Sequence, residues 1–211
     1  MSLPLNYIAI EGCIAAGKTT LARMVVDHYD AELVLEAFEK NPYLERFYAD
    51  PERHAFPLEL YFTAERYQHM KDVQRQLRLF AAPVVADYVF YKSSIFAHLT
   101  LSNEDDKRLF DMLFRIMYPN LVLPDLILYL HQPVDRLMEN LRRRGRPYEQ
   151  DISADYLRSV QEAYLAYLHQ EARTRIVVVN AADLDFVARS EDFEHLRSIL
   201  EEDHPVGISY R

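Results

Sequence analysis

The chain has 211 residues, 50% of them hydrophobic and 27% charged, an ordinary composition with enough apolar material to bury a core without staples. A net charge of −9 argues against a nucleic-acid binder, which carries a basic excess. There is no basic-then-apolar leader, no apolar run long enough to span a bilayer and a single cysteine, Cys13, so the expectation is a cytoplasmic protein with no membrane partner.

The first apolar run, Tyr7 to Ile10, reads as a buried strand. It leads into Gly12-Cys13-Ile14-Ala15-Ala16-Gly17-Lys18-Thr19, which fits G-x-x-x-x-G-K-[ST] at every fixed position. A helix over about 17–29 follows, with Leu21, Met24, Val25 and His28 at helical spacing. Two glycines let the backbone curl so that successive N–H groups point at phosphate oxygens, and the helix N-terminus adds its positive end. Gly12, Ala15, Ala16, Gly17, Lys18, Thr19 and Thr20 are therefore candidate contacts for a nucleoside triphosphate such as ATP. Lys18 supplies a cation for the β/γ-phosphates, and the Thr19 hydroxyl is a candidate Mg2+ ligand.

Four further strands are expected at Glu32 to Glu36, Pro83 to Asp87, Asp125 to Leu130 and Arg175 to Asn180, each short and apolar as a buried parallel strand should be. Helices are expected over about 57–80, 103–118, 133–143, 153–171 and 190–202, with Pro57, Pro83, Pro119, Pro124 and Pro133 at the boundaries and Ser153 as an N-cap. The alternation implies an α/β fold, a five-stranded parallel sheet with helices on both faces, whose ligands bind beyond the carboxyl ends of the strands.

Three clusters bear on that crevice. Glu36 and Asp87 close the second and third strands; each is either a solvated strand terminus or a carboxylate that holds Mg2+ or accepts a hydroxyl proton. Arg142, Arg143, Arg144 and Arg146 surround Gly145, either as a solvated basic helix end or as a lid that neutralises a transferred phosphoryl group. Glu59, Phe62, Thr63 and Arg66 share one helical face, either flanking a planar base or forming a surface ion pair.

Taken together, the stretches IEGCIAAGKTTLA, LEAFEKNPYLERFYADPERHAFPLELYF, VVADYVFYKSSIFA and RRRGRPYE resemble the deoxyribonucleoside kinases, most closely the bacterial deoxyguanosine/deoxyadenosine kinase branch. The resemblance covers nearly the whole chain and implies a P-loop kinase fold, one domain over 1–211 with an Arg-rich lid at about 142–152, and a homodimer. It implies an ATP- and Mg2+-dependent enzyme of nucleoside salvage that phosphorylates a deoxynucleoside 5′-hydroxyl. Glu36 looks like the general base, Tyr48 and Glu149 like the holders of the 3′-hydroxyl, and Glu59 and Arg66 like the readers of the base. Arg144 and Arg146 look like lid arginines on the donor phosphates, and Asp185-Phe186 like the loop over the donor adenine. This chain departs from the family in carrying Glu59 where many members have Gln, Ala86-Asp87-Tyr88 where many have an acidic-Arg-Ser triplet, and Asn140 where an arginine often packs on the adenine.

Two other readings compete: a nucleoside monophosphate kinase of the thymidylate type, and a non-catalytic nucleotide-binding module. The first needs a cationic clamp near the second and third strands, where this chain has Glu36, Glu39, Tyr43 and Tyr48. The expected acceptor is a purine deoxynucleoside, deoxyguanosine ahead of deoxyadenosine, because an ionised Glu59 accepts from the N1–H and N2–H2 of guanine. Arg66 would face O6 and N7, and Lys92 would add a donor.

Overall fold

The computed structural model describes residues 3–36, 41–79 and 82–211. Its strands are β1 (Tyr7–Gly12), β2 (Glu32–Val34), β3 (Val84–Ala86), β4 (Leu126–His131), β5 (Arg175–Asn180) and β6 (Gly207–Tyr210). They form one sheet in the order β2-β3-β1-β4-β5-β6, every neighbouring pair parallel. The strand count is thus six, not five. The additional strand, GISY, is a short edge strand with no apolar run to announce it, and pairs with β5 from Arg175 opposite Gly207.

The helices are α1 (Lys18–Tyr29), α2 (Leu44–Ala49), α3 (Pro51–Leu79), α4 (Lys92–Thr100), α5 (Glu104–Met117), α6 (Val134–Arg144), α7 (Ala154–Gln170) and α8 (Ser190–Glu201). Ser153 caps α7 by accepting from Tyr156 N–H, and Asn103 caps α5 through two N–H groups. Two helices were not foreseen, α2 and α4. Pro57 is not a boundary but lies inside α3. Its ring suits helical φ, and the carbonyl deprived of a partner belongs to exposed Arg53, where water can satisfy it. The expected end of that helix, at residue 80, lies outside the described residues.

β1 is buried along its whole length. Two apolar clusters flank the sheet: Val85 belongs to one and Val84 and Ala86 to the other, as side-chain alternation requires. The first cluster gathers Leu21, Leu137, Val160 and Leu196 from α1, α6, α7 and α8. The second gathers Met70, Ala97 and Phe110 from α3, α4 and α5. Because β2 and β3 stop at Val34 and Ala86, Glu36 and Asp87 emerge just past the carboxyl ends, next to the loop that follows β1.

Candidate active site

Between β1 and α1 the chain turns through Gly12 at φ 153 and Gly17 at φ 95. A Cβ on Gly12 would stand 2.8 Å from the Leu130 carbonyl oxygen, and one on Gly17 would meet the Phe186 ring at 3.0 Å. Glycine is therefore required at both points by conformation and by space. Ala15 adopts φ 64 without being glycine, a local strain of about 1–2 kcal/mol, and its carbonyl accepts from Asn140 Nδ2 at 3.0 Å. Lys18 Nζ donates to the Gly12 and Cys13 carbonyls, both at 2.9 Å. Burial, and then the nearby Lys92, pull its ammonium below the ordinary value, so an anion placed here would meet a cation short of counter-charge.

Beside this loop, Thr19 Oγ1 donates to Asp87 Oδ2 at 2.5 Å, and Asp87 Oδ1 accepts the Glu36 backbone N–H at 2.9 Å. The Glu36 side chain turns the other way. Its Oε1 accepts from Arg66 Nε and Nη2 at 2.9 and 2.6 Å, and its Oε2 from Lys92 Nζ at 2.6 Å. Burial opposes its charge, but Lys92 and Arg66 outweigh burial and hold the carboxyl far below the usual range. Two oxygens offer about four lone-pair sites and three are taken, which leaves room for one more donor. Arg66 Nη1 also donates to Ser93 Oγ at 2.9 Å.

Lys18, Thr19, Glu36, Arg66, Asp87 and Lys92 line one cleft of about 1140 Å³. Glu59 also lines it, 3% exposed, and its Oε2 has no hydrogen-bond partner. Burial raises its carboxyl to about 7, with Arg66 and the Thr100 hydroxyl pulling the other way. Phe62 lies beside it, its ring 5.0 Å from the Arg66 guanidinium carbon. Over the other flank, Arg144 and Arg146 both engage buried Glu149, at 2.6 and 3.4 Å.

A phosphate loop, an ionised acid beside it and a cleft lined by both suit transfer of a phosphoryl group to a small acceptor. The deoxynucleoside kinase family model matches residues 8–203. The chain belongs to the deoxynucleoside kinase family. It is 32% identical to a deoxyguanosine kinase of Bacillus subtilis (strain 168) over 93% of this chain and 96% of that one. It is also 32% identical to a deoxyadenosine kinase of Dictyostelium discoideum, over 82% of this chain and 70% of that one. The structure of a deoxyadenosine kinase from M. mycoides with bound dATP superposes with a TM-score of 0.79 at 23% identity, covering 93% of this chain and all of that one.

Several expected positions in this kinase need correction. Glu59 and Arg66 are not a surface ion pair: both are buried, and Arg66 pairs with Glu36 instead. Arg66 and Lys92 both line the cleft, each paired with Glu36. Arg142 does not line the cleft; Arg143 does, since Asn140, Arg143 and Arg144 share one face of α6. Asp185 does not line it either, and its carboxylate caps a turn by accepting from Ala188 N–H. Phe186 packs beneath the loop on Gly17. Tyr48 and Glu149 both line the cleft, Tyr48 from α2 with 44% exposure. Glu39 lies outside the described residues.

Four residues not singled out from the sequence, Glu11, Arg23, Ser93 and Thr100, also brace or line this region. Glu11, wholly buried, accepts Val89 N–H at 2.8 Å and its own neighbour Gly12 N–H at 3.2 Å, tying the phosphate loop to the segment that carries Lys92. Burial pushes its carboxyl up. Arg23 lines the cleft one helical turn beyond Thr19, a spacing that was readable. Ser93 and Thr100 carry no signal of their own, being unremarkable hydroxyls until the fold sets them beside Arg66 and Glu59.

Among the described residues no group of three or more His, Cys, Asp or Glu side chains stands ready for a metal. Mg2+ does not need one, since it keeps several waters and takes one or two protein oxygens together with substrate phosphates. The adjacent Thr19 hydroxyl and Asp87 carboxylate are hard oxygen donors of that kind. Among the described residues no helix is long and apolar enough to cross a membrane.

Proposed function

We propose that this kinase transfers the γ-phosphoryl group of ATP to the 5′-hydroxyl of a purine deoxynucleoside, deoxyguanosine ahead of deoxyadenosine, as a step of nucleoside salvage in the cytoplasm. The observation that carries this reading is the position of Glu36, its backbone tied to Asp87 beside the phosphate loop and its side chain lining the same cleft as Glu59.

In this reading the loop from Gly12 to Thr20 cradles the donor phosphates, and Lys18 leaves the Gly12 and Cys13 carbonyls for the β/γ-phosphates. Thr19 and Asp87 would hold Mg2+, which neutralises phosphate charge when bound. Glu36 accepts a hydrogen bond from the 5′-hydroxyl at its remaining lone-pair site and takes the proton as the phosphoryl group passes. Its depressed pKa makes it a weak base, which a loose transition state tolerates because positioning outweighs basicity there. Tyr48 and Glu149 bind the 3′-hydroxyl, Glu59 and Phe62 the base, and Arg144 and Arg146 the donor phosphates once the lid at about 142–152 closes. The whole of 1–211 acts as one domain.

Deoxyguanosine and deoxyadenosine kinases among the relatives support a purine acceptor. A monophosphate acceptor is disfavoured because the cations nearest β2 and β3, Arg66 and Lys92, are already committed to Glu36. The test is ATP consumption with a panel of nucleosides, of monophosphates, and with water alone. Turnover with purine deoxynucleosides is expected; turnover only with monophosphates, or only slow hydrolysis in water, rejects the reading.

The same proposal includes a homodimer. On α5, Leu109, Met112 and Ile116 recur on one face at 41, 54 and 63% exposure, while Phe110 and Phe114 bury the other. A second copy is the occupant that this apolar stripe suits. Ile116→Asp is expected to shift the protein from dimer to monomer in sedimentation; an unchanged dimer would place the interface elsewhere, and a monomeric wild type would remove it.

A further inference from the structure

Glu59 is a carboxyl in a place where a charge is hard to keep. It lines the cleft, 3% exposed, with Oε2 lacking any partner. Such a group has to be completed either by a donor from a ligand or by a proton. The groups around it do not force the choice. From its own helix, Arg66 faces it, but that guanidinium spends its charge on Glu36. From the segment after β2, the Glu36 carboxylate repels it. From α4, the Thr100 hydroxyl bonds to it and Lys92, already paired with Glu36, attracts it. From α7, the Tyr156 phenol lies near enough to feel its charge.

Purines differ along the edge such a group would meet. Guanine offers two donors, N1–H and N2–H2, which a carboxylate accepts with its two oxygens. Adenine offers an acceptor at N1 beside a donor at N6, which a carboxylic acid matches with one O–H and one C=O. A glutamine supplies both a donor and an acceptor at any pH; a glutamate needs a proton to do the same.

We propose that Glu59 reads either purine by changing its own protonation, binding deoxyguanosine as the carboxylate and deoxyadenosine as the acid, with the proton drawn from or returned to solvent. This rests on the reading that the Glu59 end of the cleft receives the base. No covalent bond changes, and the proton is the only species exchanged. Since burial sets the carboxyl at about 7, the two forms are both well populated near neutrality. Base preference then becomes a function of pH even though neither base titrates in that range.

The test is the ratio of kcat/KM for deoxyguanosine to that for deoxyadenosine, measured in competition from about pH 6 to about pH 8. The ratio cancels titrations that both substrates share, including those of Glu36 and of ATP. It is expected to rise roughly tenfold per pH unit, and to be flat in Glu59→Gln, whose amide keeps the shape without a titrating proton. Calorimetry of the wild-type enzyme in two buffers of different ionisation enthalpy should show proton uptake with deoxyadenosine and release with deoxyguanosine, roughly half a proton each near pH 7. A flat wild-type ratio with both purines turned over overturns this inference and leaves the kinase reading standing. Failure of one purine alone to bind at any pH overturns this inference only; failure of both overturns the proposed acceptor as well.

Discussion

Glu36→Gln is expected to lower kcat by about 10²–10⁴-fold, the usual effect of removing a general base. The amide preserves shape and one acceptor but cannot take the 5′-hydroxyl proton. The structure adds a second consequence. Arg66 and Lys92 share Glu36 as their counter-ion, with side chains only 5 and 10% exposed. Removing that anion leaves two buried cations facing each other, and breaking a buried pair in this way typically destabilises by about 3–5 kcal/mol. The variant should therefore show a lower Tm as well as a lower kcat, with a smaller change in KM for the nucleoside. Unchanged turnover with a raised KM would instead make Glu36 a binding residue and move the acceptor role to Asp87.

The same carboxyl predicts an acid dependence. Its folded pKa lies below the ordinary 4.5, so its contribution to stability is fully present above that value. It is lost as pH falls toward the folded pKa, where the proton that binds the unfolded chain also breaks the clamp. Urea unfolding of wild type and Glu36→Gln at falling pH should bring the two stabilities together; parallel curves would show that the clamp contributes nothing.

Lys18→Ala is expected to abolish useful transfer. The lysine is the cation that the loop itself brings to the β/γ-phosphates, and loss of one such preorganised contact raises the barrier by about 2.7–4 kcal/mol. In the structure its ammonium bridges the Gly12 and Cys13 carbonyls, so alanine also removes two braces from the loop. Far-UV circular dichroism should show the fold retained, because the backbone turns at Gly12 and Gly17 do not depend on the lysine, while kcat with ATP and deoxyguanosine falls by about 10²–10³-fold. A variant with near-normal turnover would mean that the phosphate loop is not where the donor binds.

The phosphate loop was legible from the chain because its chemistry is local: two glycines, a lysine and a threonine within eight consecutive residues define both the backbone curl and the groups that it presents. The buried parallel strands were legible for a similar reason, since a strand covered on both faces has to be a continuous apolar run. The same rule explains the miss at β6, whose exposure at the sheet edge frees it from that requirement. The prolines were less reliable guides. Pro57 carries the residue type of a boundary, but only the position of Arg53 at the surface made it tolerable inside α3.

What the sequence could not decide was which charge answers which. Glu59 and Arg66 lie two turns apart on one helix, a spacing that fits either two groups flanking a base or an ion pair. The fold instead brings Glu36 to Arg66 across 30 residues and to Lys92 across 56. A charged side chain takes whichever opposite charge lies nearest once water has been excluded, and that distance is set by the packing of α3 and α4 over the ends of β2 and β3. By giving Arg66 and Lys92 to Glu36, the tertiary structure keeps one acid ionised beside the phosphate loop and leaves the other, Glu59, buried with its carboxyl raised toward neutral pH. The chain determined by itself that both acids are present; only their burial and their partners gave them different protonation.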